Sequence, residues 1–432
     1  MGILTITDIP EPRYRQADHP RLKVNEWRPD HSADDLGDGI LMSKSVTNCY
    51  VVASDAGDVV INTGLAEHGA RHRERFEQLL GRKLNVQKII FTQSHVDHTG
   101  GWEAFADPQA DLVGQREFEV LVAERTALAT FFSRRNARII RAILDKMARE
   151  SGKLPSTAPK QVSLTTRFAD GLSLTVGGRQ FELISTPSGE AFDAICIWLP
   201  HTKTLFTGNF MSAVFGTMPN FYTLRGDRLR SVPGFLRELQ KLIDLGPEVL
   251  ITGHGDPLRG AAPIREALSR IRDAVRYMHD ETVRRMAAGE SLSAIMDAVE
   301  LPPDLRLSNL GRGPTRWYVR SVWEEYTGWF RAELTSELYA TPAAAVWPML
   351  AEMAGGHAVL AAKAEELRAL GEPEKALHMI EIAVAAAPHD KIVRATEGRI
   401  LVDLIDRTGG AGFDEIGWLE SKLSDAIEAV DG

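Results

Sequence analysis

Apolar residues recur along this chain with two different periods. From about residue 40 to residue 110 the runs are short. Cys49–Ser54 and Asp58–Asn62 are apolar stretches split by Asp55-Ala56-Gly57, a turn that predicts a β-hairpin. Glu67–Leu80 has helical spacing, and Val86–Thr92 is a β-branched run that ends in a polar loop, which predicts a strand. A helix-rich stretch is predicted from Gln115 to Glu150. Strands are predicted again at Leu172–Val176, Gln180–Ser185, Ala194–Leu199 and Lys203–Phe206. A helix over Leu229–Leu245 follows, then a strand over Glu248–Thr252 that runs into Gly253-His254-Gly255. Strands that alternate with helices, with polar loops at the strand ends, predict a layered α/β domain.

Beyond about residue 260 the pattern becomes helical throughout. Pro263–Ala288, Tyr318–Glu333 and Leu360–Ile405 all carry the helical period. Leu360–Leu370, Glu374–Ala386 and Asp390–Leu404 are separated by Gly371-Glu372-Pro373 and Pro388, in the manner of tetratricopeptide-like helical hairpins. The expected organisation is therefore an α/β domain over residues 1–260, with a helical insertion at about 115–160, and an α-helical domain over 261–432.

Composition narrows the function classes. With 50 basic and 59 acidic residues the net charge is −9, which gives no general attraction to nucleic acid or to anionic membrane. Neither is an expected partner. The two cysteines, Cys49 and Cys196, lie in apolar strand-like runs and read as buried free thiols. No run reaches the ~20 apolar residues that span a bilayer, and the N-terminus lacks the apolar core of a signal peptide. A soluble, cytoplasmic protein is expected. His68, His72, His201, His279, His357, His378 and His389 fall in helix or turn contexts and are expected on the surface, without a role. Trp317, Tyr318, Trp323, Tyr326, Trp329 and Phe330 recur at spacings near three and four, as expected of helix core or a dimer interface.

The strongest chemical signal is Phe91-Thr92-Gln93-Ser94-His95-Val96-Asp97-His98-Thr99-Gly100-Gly101. Alternate residues leaving a strand point the same way, so Gln93 and His95 can face one ion, while the tight turn brings Asp97 and His98 round to another. Imidazole and carboxylate ligands suit zinc, iron or manganese. Three later segments also stand at predicted strand ends. They are Thr186-Pro187-Ser188-Gly189-Glu190, Leu205-Phe206-Thr207-Gly208-Asn209 and Thr252-Gly253-His254-Gly255-Asp256.

The first of these motifs resembles the H-x-H-x-D-H signature of the metallo-β-lactamase superfamily, and the later three fall where that superfamily carries its remaining ligands. Glu190 in place of a histidine, Asn220-Phe221-Tyr222-Thr223-Leu224-Arg225-Gly226, the paired Arg134 and Arg135 of the helical insertion, Leu301-Pro302-Pro303 and the Tyr326–Phe330 run resemble the alkyl sulfatases of the superfamily. The resemblance covers roughly residues 40–400, and the sterol-carrier-like C-terminal domain of that family is expected to be absent. It implies an αββα sandwich followed by an all-α domain that forms a homodimer. It also implies a metal site drawn from Gln93, His95, Asp97, His98, Glu190, Asn209 and His254.

Four positions depart from the family pattern. Gln93 replaces a ligand histidine with a neutral amide. Asn209 replaces a bridging acid, and Asn62 replaces an aspartate that orients the first histidine. Pro219 stands where a proton-donating histidine is usual. One tight metal is expected at Asp97, His98 and His254, with a weaker second at Gln93, His95 and Glu190. Zinc is the expected metal, with iron or manganese as alternatives. Asp97, Arg225 and Tyr222 are the expected catalytic residues, and the two last would bind an anionic group. The resulting expectation is a metal-dependent hydrolase of alkyl sulfates or related anionic esters. A lactone, thioester or β-lactam hydrolase, or a non-catalytic scaffold with a degenerate site, remain as alternatives.

Overall fold

The structure is a computed structural model and describes residues 7–24, 31–151, 161–221, 224–226 and 228–432. The described chain forms two compact units. One comprises Pro20–Arg135 and Ile143–Tyr326, and the other Met1–His19, Asn136–Ala142 and Thr327–Gly432.

The larger unit is built on two sheets. Strands β1 (Asp34–Asp35), β2 (Ile40–Ser43), β3 (Cys49–Val52), β4 (Asp58–Ile61), β5 (Val86–Ile90), β6 (Asp111–Gln115) and β7 (Thr166–Phe168) lie side by side in sequence order. The first four pair antiparallel and the last four parallel. In the second sheet, β8 (Gly171–Val176), β9 (Arg179–Ser185), β10 (Ile195–Leu199), β11 (Thr204–Gly208), β12 (Val249–Thr252) and β13 (Leu258–Arg259) follow one another. Here only β11 and β12 run parallel.

Side chains alternate across each strand, so each sheet has two faces to cover. Tyr50, Val52, Ile61 and Ile90 of the first sheet meet Phe181, Leu183, Ile197, Phe206 and Ile251 of the second in one core between the sheets. The opposite face of the first sheet, with Leu41, Cys49, Val51 and Ile89, is covered by Phe76, Phe105 and Phe118 from helices and turns. The opposite face of the second sheet, with Cys196, Trp198, Leu205 and Leu250, packs on the helices Val232–Asp244, Ala261–Ala287, Leu292–Ala298 and Thr315–Thr327. The layer order is helix, sheet, sheet, helix, as the family resemblance implies. Both cysteines are buried free thiols, and burial pushes both thiols up.

The smaller unit is helical. Trp347–Met353, His357–Ala369, Pro373–Ala386 and Lys391–Arg407 enclose an Ala-rich core with Leu360, Ile380 and Ile400, and Phe413–Asp431 packs on Leu401, Val402 and Ile405. Outside that core, Trp329, Leu334, Leu338, Tyr339 and Met353 are exposed. Among the described residues no helix is long and apolar enough to cross a membrane.

Two histidines expected on the surface are instead buried. His68 and His72 lie at the start of the helix Gly69–Leu80, with side chains turned inward to Ser45 and Ser43, each at 2.7 Å. Their Nδ1 atoms meet hydroxyls, which is why polar rings are tolerated there. Burial lowers the His68 imidazole to about 4, and lowers His72 in the same direction. Unfolded imidazole binds its proton near pH 6.5, so between about pH 6.5 and 4 the unfolded chain holds more protons than the folded one. Stability therefore rises with pH across that window and is lost as the pH falls through it. His68 alone accounts for about 3 kcal/mol of that loss. Denaturant titrations from pH 7 to pH 4 should show the loss, and His68→Asn should flatten it. An acid limb of unchanged slope in the variant would contradict this assignment.

Candidate metal centre

The polar residues singled out in the sequence gather at the ends of β5, β9, β11 and β12. Gln93 to His98 leave β5, and Val96–Thr99 form one helical turn. Asp97 and His98 stand on that turn, and His95 caps its start. Glu190 lies in the loop after β9, Asn209 directly after β11 and His254 two residues after β12. Backbone proximity is extreme here. A Cβ on Gly253 would sit 2.4 Å from Asn209 Oδ1 and 3.0 Å from His98 Cε1, so only glycine lets β12 come this close to β11.

Asp97, His98 and His254 form one group, their ligand atoms all lying within 4.8 Å of one another. His98 Nε2 and His254 Nε2 stand 3.8 and 3.9 Å from Asp97 Oδ2. Their outer nitrogens set the tautomers. His254 Nδ1 meets the carbonyl of Val46, which only accepts, so the proton sits on Nδ1 and Nε2 keeps its lone pair. His98 Nδ1 meets Thr92 Oγ1 at 3.2 Å. Asn62 Oδ1 accepts from the Thr92 N–H at 3.0 Å, and the Asn62 amide also meets the Thr92 hydroxyl, with Nδ2 at 3.0 Å and Oδ1 at 3.1 Å. His98 Nε2 is fully buried with no hydrogen-bond partner among the described residues. Thr47 donates to Asp97 Oδ2.

Asn62 therefore acts differently from the sequence expectation. It does not reach Gln93, but orients His98 through Thr92, from a left-handed backbone at φ 55°.

The electrostatics agree with a cation site. Burial pushes the Asp97 carboxyl up, but His98, His254 and His95, with the Thr47 hydroxyl, outweigh it and bring it to about 2. Burial lowers His98, and brings His254 to about 4, so both rings are neutral near pH 7. One carboxylate and two imidazoles with converging lone pairs fit a divalent metal such as zinc, which takes such ligands in its catalytic sites.

The second group is organised around Glu190, which is buried. Its Oε2 accepts from Asn209 Nδ2 at 2.6 Å and lies 3.2 Å from the amide end of Gln93. Its Oε1 accepts from Asn220 Nδ2 at 2.9 Å and lies 3.9 Å from an Arg225 guanidinium nitrogen. Arg230 donates to the carbonyls of Asn220 and of Glu190 itself. Burial alone would raise this carboxyl, but His95, Arg312, Arg225 and Arg230 hold it well below the usual range. His95 lies between the groups. Its Nδ1 is 2.7 Å from the Gln93 amide end and 3.8 Å from Glu190 Oε2, and its Nε2 is 2.8 Å from Arg125.

The loop bearing Glu190 is itself anchored. Ser188 donates from its N–H and its hydroxyl to Glu238 on the helix Val232–Asp244, at 3.1 and 2.9 Å, and burial raises the Glu238 carboxyl to about 7. Arg134 and Arg135 stand exposed on the helix Ala129–Ala137, and Arg135 donates to the Leu224 carbonyl at 3.1 Å. Tyr222 lies outside the described residues.

Sequence reading did not find Arg125, Thr92, Asn220, Arg230 or Arg312 as site residues. Thr92 and Asn220 stand inside the quoted motifs, where a polar side chain on the last strand residue or beside the arginine segment was the available signal. The three arginines carry no local pattern.

Comparison with known proteins places these groups. The family model described as Metallo-beta-lactamase superfamily matches residues 43–254, and the one described as Alkyl sulfatase dimerisation matches residues 291–411. A linear primary-alkylsulfatase of a Pseudomonas species is 26% identical over 396 residues, covering 88% of this chain and 73% of that protein. The alkyl/aryl-sulfatase BDS1 of Saccharomyces cerevisiae is 23% identical over 413 residues, covering 90% of this chain and 62% of the relative. The solved structure of the stereoselective inverting sec-alkylsulfatase Pisa1 of a Pseudomonas species superposes with a TM-score of 0.78 at 21% identity, over 91% of this chain and 65% of that one. That likeness shows the fold.

The Thr92 hydroxyl has a measurable consequence. Thr92→Val keeps the shape and removes the hydroxyl that meets His98 Nδ1. Loss of such an outer partner typically costs 10–100-fold in metal affinity. Competition against a chromophoric chelator should show a loss of that size at unchanged melting temperature. Equal affinity in the variant would show that Thr92 does not orient the ring.

Proposed function

Because the chain belongs to the metallo-beta-lactamase superfamily, in its alkyl sulfatase-like branch, we propose that it hydrolyses sulfate esters of alkyl groups with a metal-activated water. The observation that carries this reading is the pairing of two unlike groups at the same strand ends: converging neutral histidines with Asp97, and beside them a buried carboxylate ringed by guanidinium groups. The first suits a cation, and Arg225 at the edge of the second suits an anionic substrate.

Asp97, His98 and His254 would hold the metal, zinc being favoured by the ligand set, with iron or manganese as alternatives. A metal bound there lowers the pKa of its water toward ~7 and supplies a nucleophile near neutral pH. Arg225 is only partly exposed and sits on the segment most specific to the branch. Its planar guanidinium can hold two sulfate oxygens at once, and Tyr222 would add a hydroxyl contact. The same contacts offset negative charge that grows on the leaving group. Attack at carbon expels sulfate, the anion of a strong acid, which needs no proton. Pro219, buried beside Asn220, has none to give. Cleavage at carbon therefore fits this chain better than cleavage at sulfur, which expels an alkoxide that has to be protonated.

The matched dimerisation domain and the exposed Trp329, Leu334, Leu338, Tyr339 and Met353 support a homodimer. An obligate interface of that kind buries about 2,000 Å² or more. Sedimentation at low micromolar concentration should show a dimer-sized species, and a monomer at every concentration tested would count against it.

Arg225 tests the substrate class. A charge-assisted hydrogen bond contributes about 1.5–3 kcal/mol. Arg225→Ala should therefore lower kcat/KM for a medium-chain alkyl sulfate by roughly ten- to a hundred-fold, with metal content unchanged. Arg225→Lys should recover only part, since an ammonium cannot make the forked contact. Full activity in the alanine variant would make Arg225 structural and remove the sulfate-ester assignment.

A further inference from the structure

We propose that the position formed by Gln93, His95, Glu190 and Asn209 takes no metal in this chain: it is a hydrogen-bonded hub, and the protein holds a single ion at Asp97, His98 and His254. The inference rests on the metal-hydrolase reading above for the identity of the occupied site, and concerns what stands where a second ion would sit.

Three observations converge. The first is the state of Glu190. A carboxylate has about four lone-pair sites. Oε2 faces the Gln93 and Asn209 amides at 3.2 and 2.6 Å. Oε1 faces the Asn220 amide at 2.9 Å and Arg225 at 3.9 Å. Three amide nitrogens stand on the carboxylate, and the Arg225 guanidinium nearby offsets its charge. A dication would have to displace these partners within a buried space.

The second is the orientation of Asn209. Side-chain amides are oriented by their neighbours. Turning this amide over would set Oδ1 2.6 Å from Glu190 Oε2, two acceptors in contact, so Asn209 points its NH2 group at Glu190. An NH2 group has no lone pair for a metal.

The third is Arg125. Arginine donates only, and its guanidinium lies 2.8 Å from His95 Nε2. The Gln93 amide nitrogen, which donates to Glu190, lies 2.7 Å from His95 Nδ1, so both ring nitrogens face donor groups. The Nδ1 lone pair that a metal would need is turned to the Gln93 NH2 group, and the permanent charge of Arg125 lies against the other edge of the ring. None of these conflicts exists at Asp97, His98 and His254, whose ligand atoms all lie within 4.8 Å of one another.

The test is a metal count. Full-length protein is stripped with chelator, loaded with excess zinc, gel-filtered and measured by elemental analysis. Wild type should hold one equivalent, Glu190→Gln one, and His254→Ala none or a small fraction. Two equivalents in wild type, falling to one in Glu190→Gln, would overturn the hub, as would wild-type protein that holds none. If Glu190→Gln does not fold, stepwise titration of wild type against a chromophoric chelator decides: one step supports the proposal and two overturn it. One equivalent in a protein that cleaves no sulfate ester leaves the hub standing and removes the proposed activity. Two equivalents in an active sulfatase do the reverse.

Discussion

A carboxylate sealed from water sets the terms for this site. Taking such a charge out of solvent costs several kcal/mol unless other groups meet it. Glu190 is 3% exposed, so the surrounding loops have to supply donors. They come from two places in the chain: Gln93 after β5, and Asn209, Asn220 and Arg225 along the connection after β11, while Arg230 donates to the carbonyls of Asn220 and Glu190. The loops are tied to one ion, and through it to one another. This is why residues so far apart in sequence occupy fixed positions without any regular structure of their own.

The neighbouring group obeys the opposite rule. Asp97 is the only carboxylate among its three side chains, and the two rings beside it are neutral. Its order comes from outside, from a threonine hydroxyl, a backbone carbonyl and an asparagine that never touches the centre. Orienting partners of this kind leave the inward nitrogens open. One half of the site is thus a carboxylate met by donors, and the other half gathers ligand atoms that suit a cation.

Much of this could be read from the sequence, for definite reasons. The hairpin of β3 and β4, the strand β5 and the strands β8 to β12 carry apolar or alternating runs that end in polar loops, so the ends that carry the site are visible. β2, β6 and β7 are not. Ile40–Ser43 contains a methionine and a serine, Asp111–Gln115 a glycine and two polar ends, and Thr166–Phe168 is three residues long. Each owes its strand to the partners beside it rather than to its own pattern. Asp97, His98 and His254 could be named because a short motif and a strand-end histidine are local signals. Arg125 could not, because its contact with His95 depends on how the helix Phe118–Ala127 packs. His68 and His72 misled for the same reason: a polar ring in a helix reads as surface until tertiary packing supplies serines to meet it.

The unusual residues of the site are better understood as a set than one at a time. Consider an aspartate at position 209 with everything else unchanged. Its carboxylate would stand about where the Asn209 amide stands, 2.6 Å from Glu190 Oε2. Two buried carboxylates at that distance cannot both ionise without a cation between them. An aspartate there needs the second metal, and the second metal needs lone pairs facing it. Asparagine reverses the requirement, because its NH2 group meets Glu190 directly and leaves nothing for a cation to bridge. Once that is so, a histidine at 93 has no ion to bind, and an amide that spans His95 and Glu190 is the better neighbour. Gln93 and Asn209 are two halves of one electrostatic change, in which hydrogen bonds to Glu190 do the work that a metal would otherwise do.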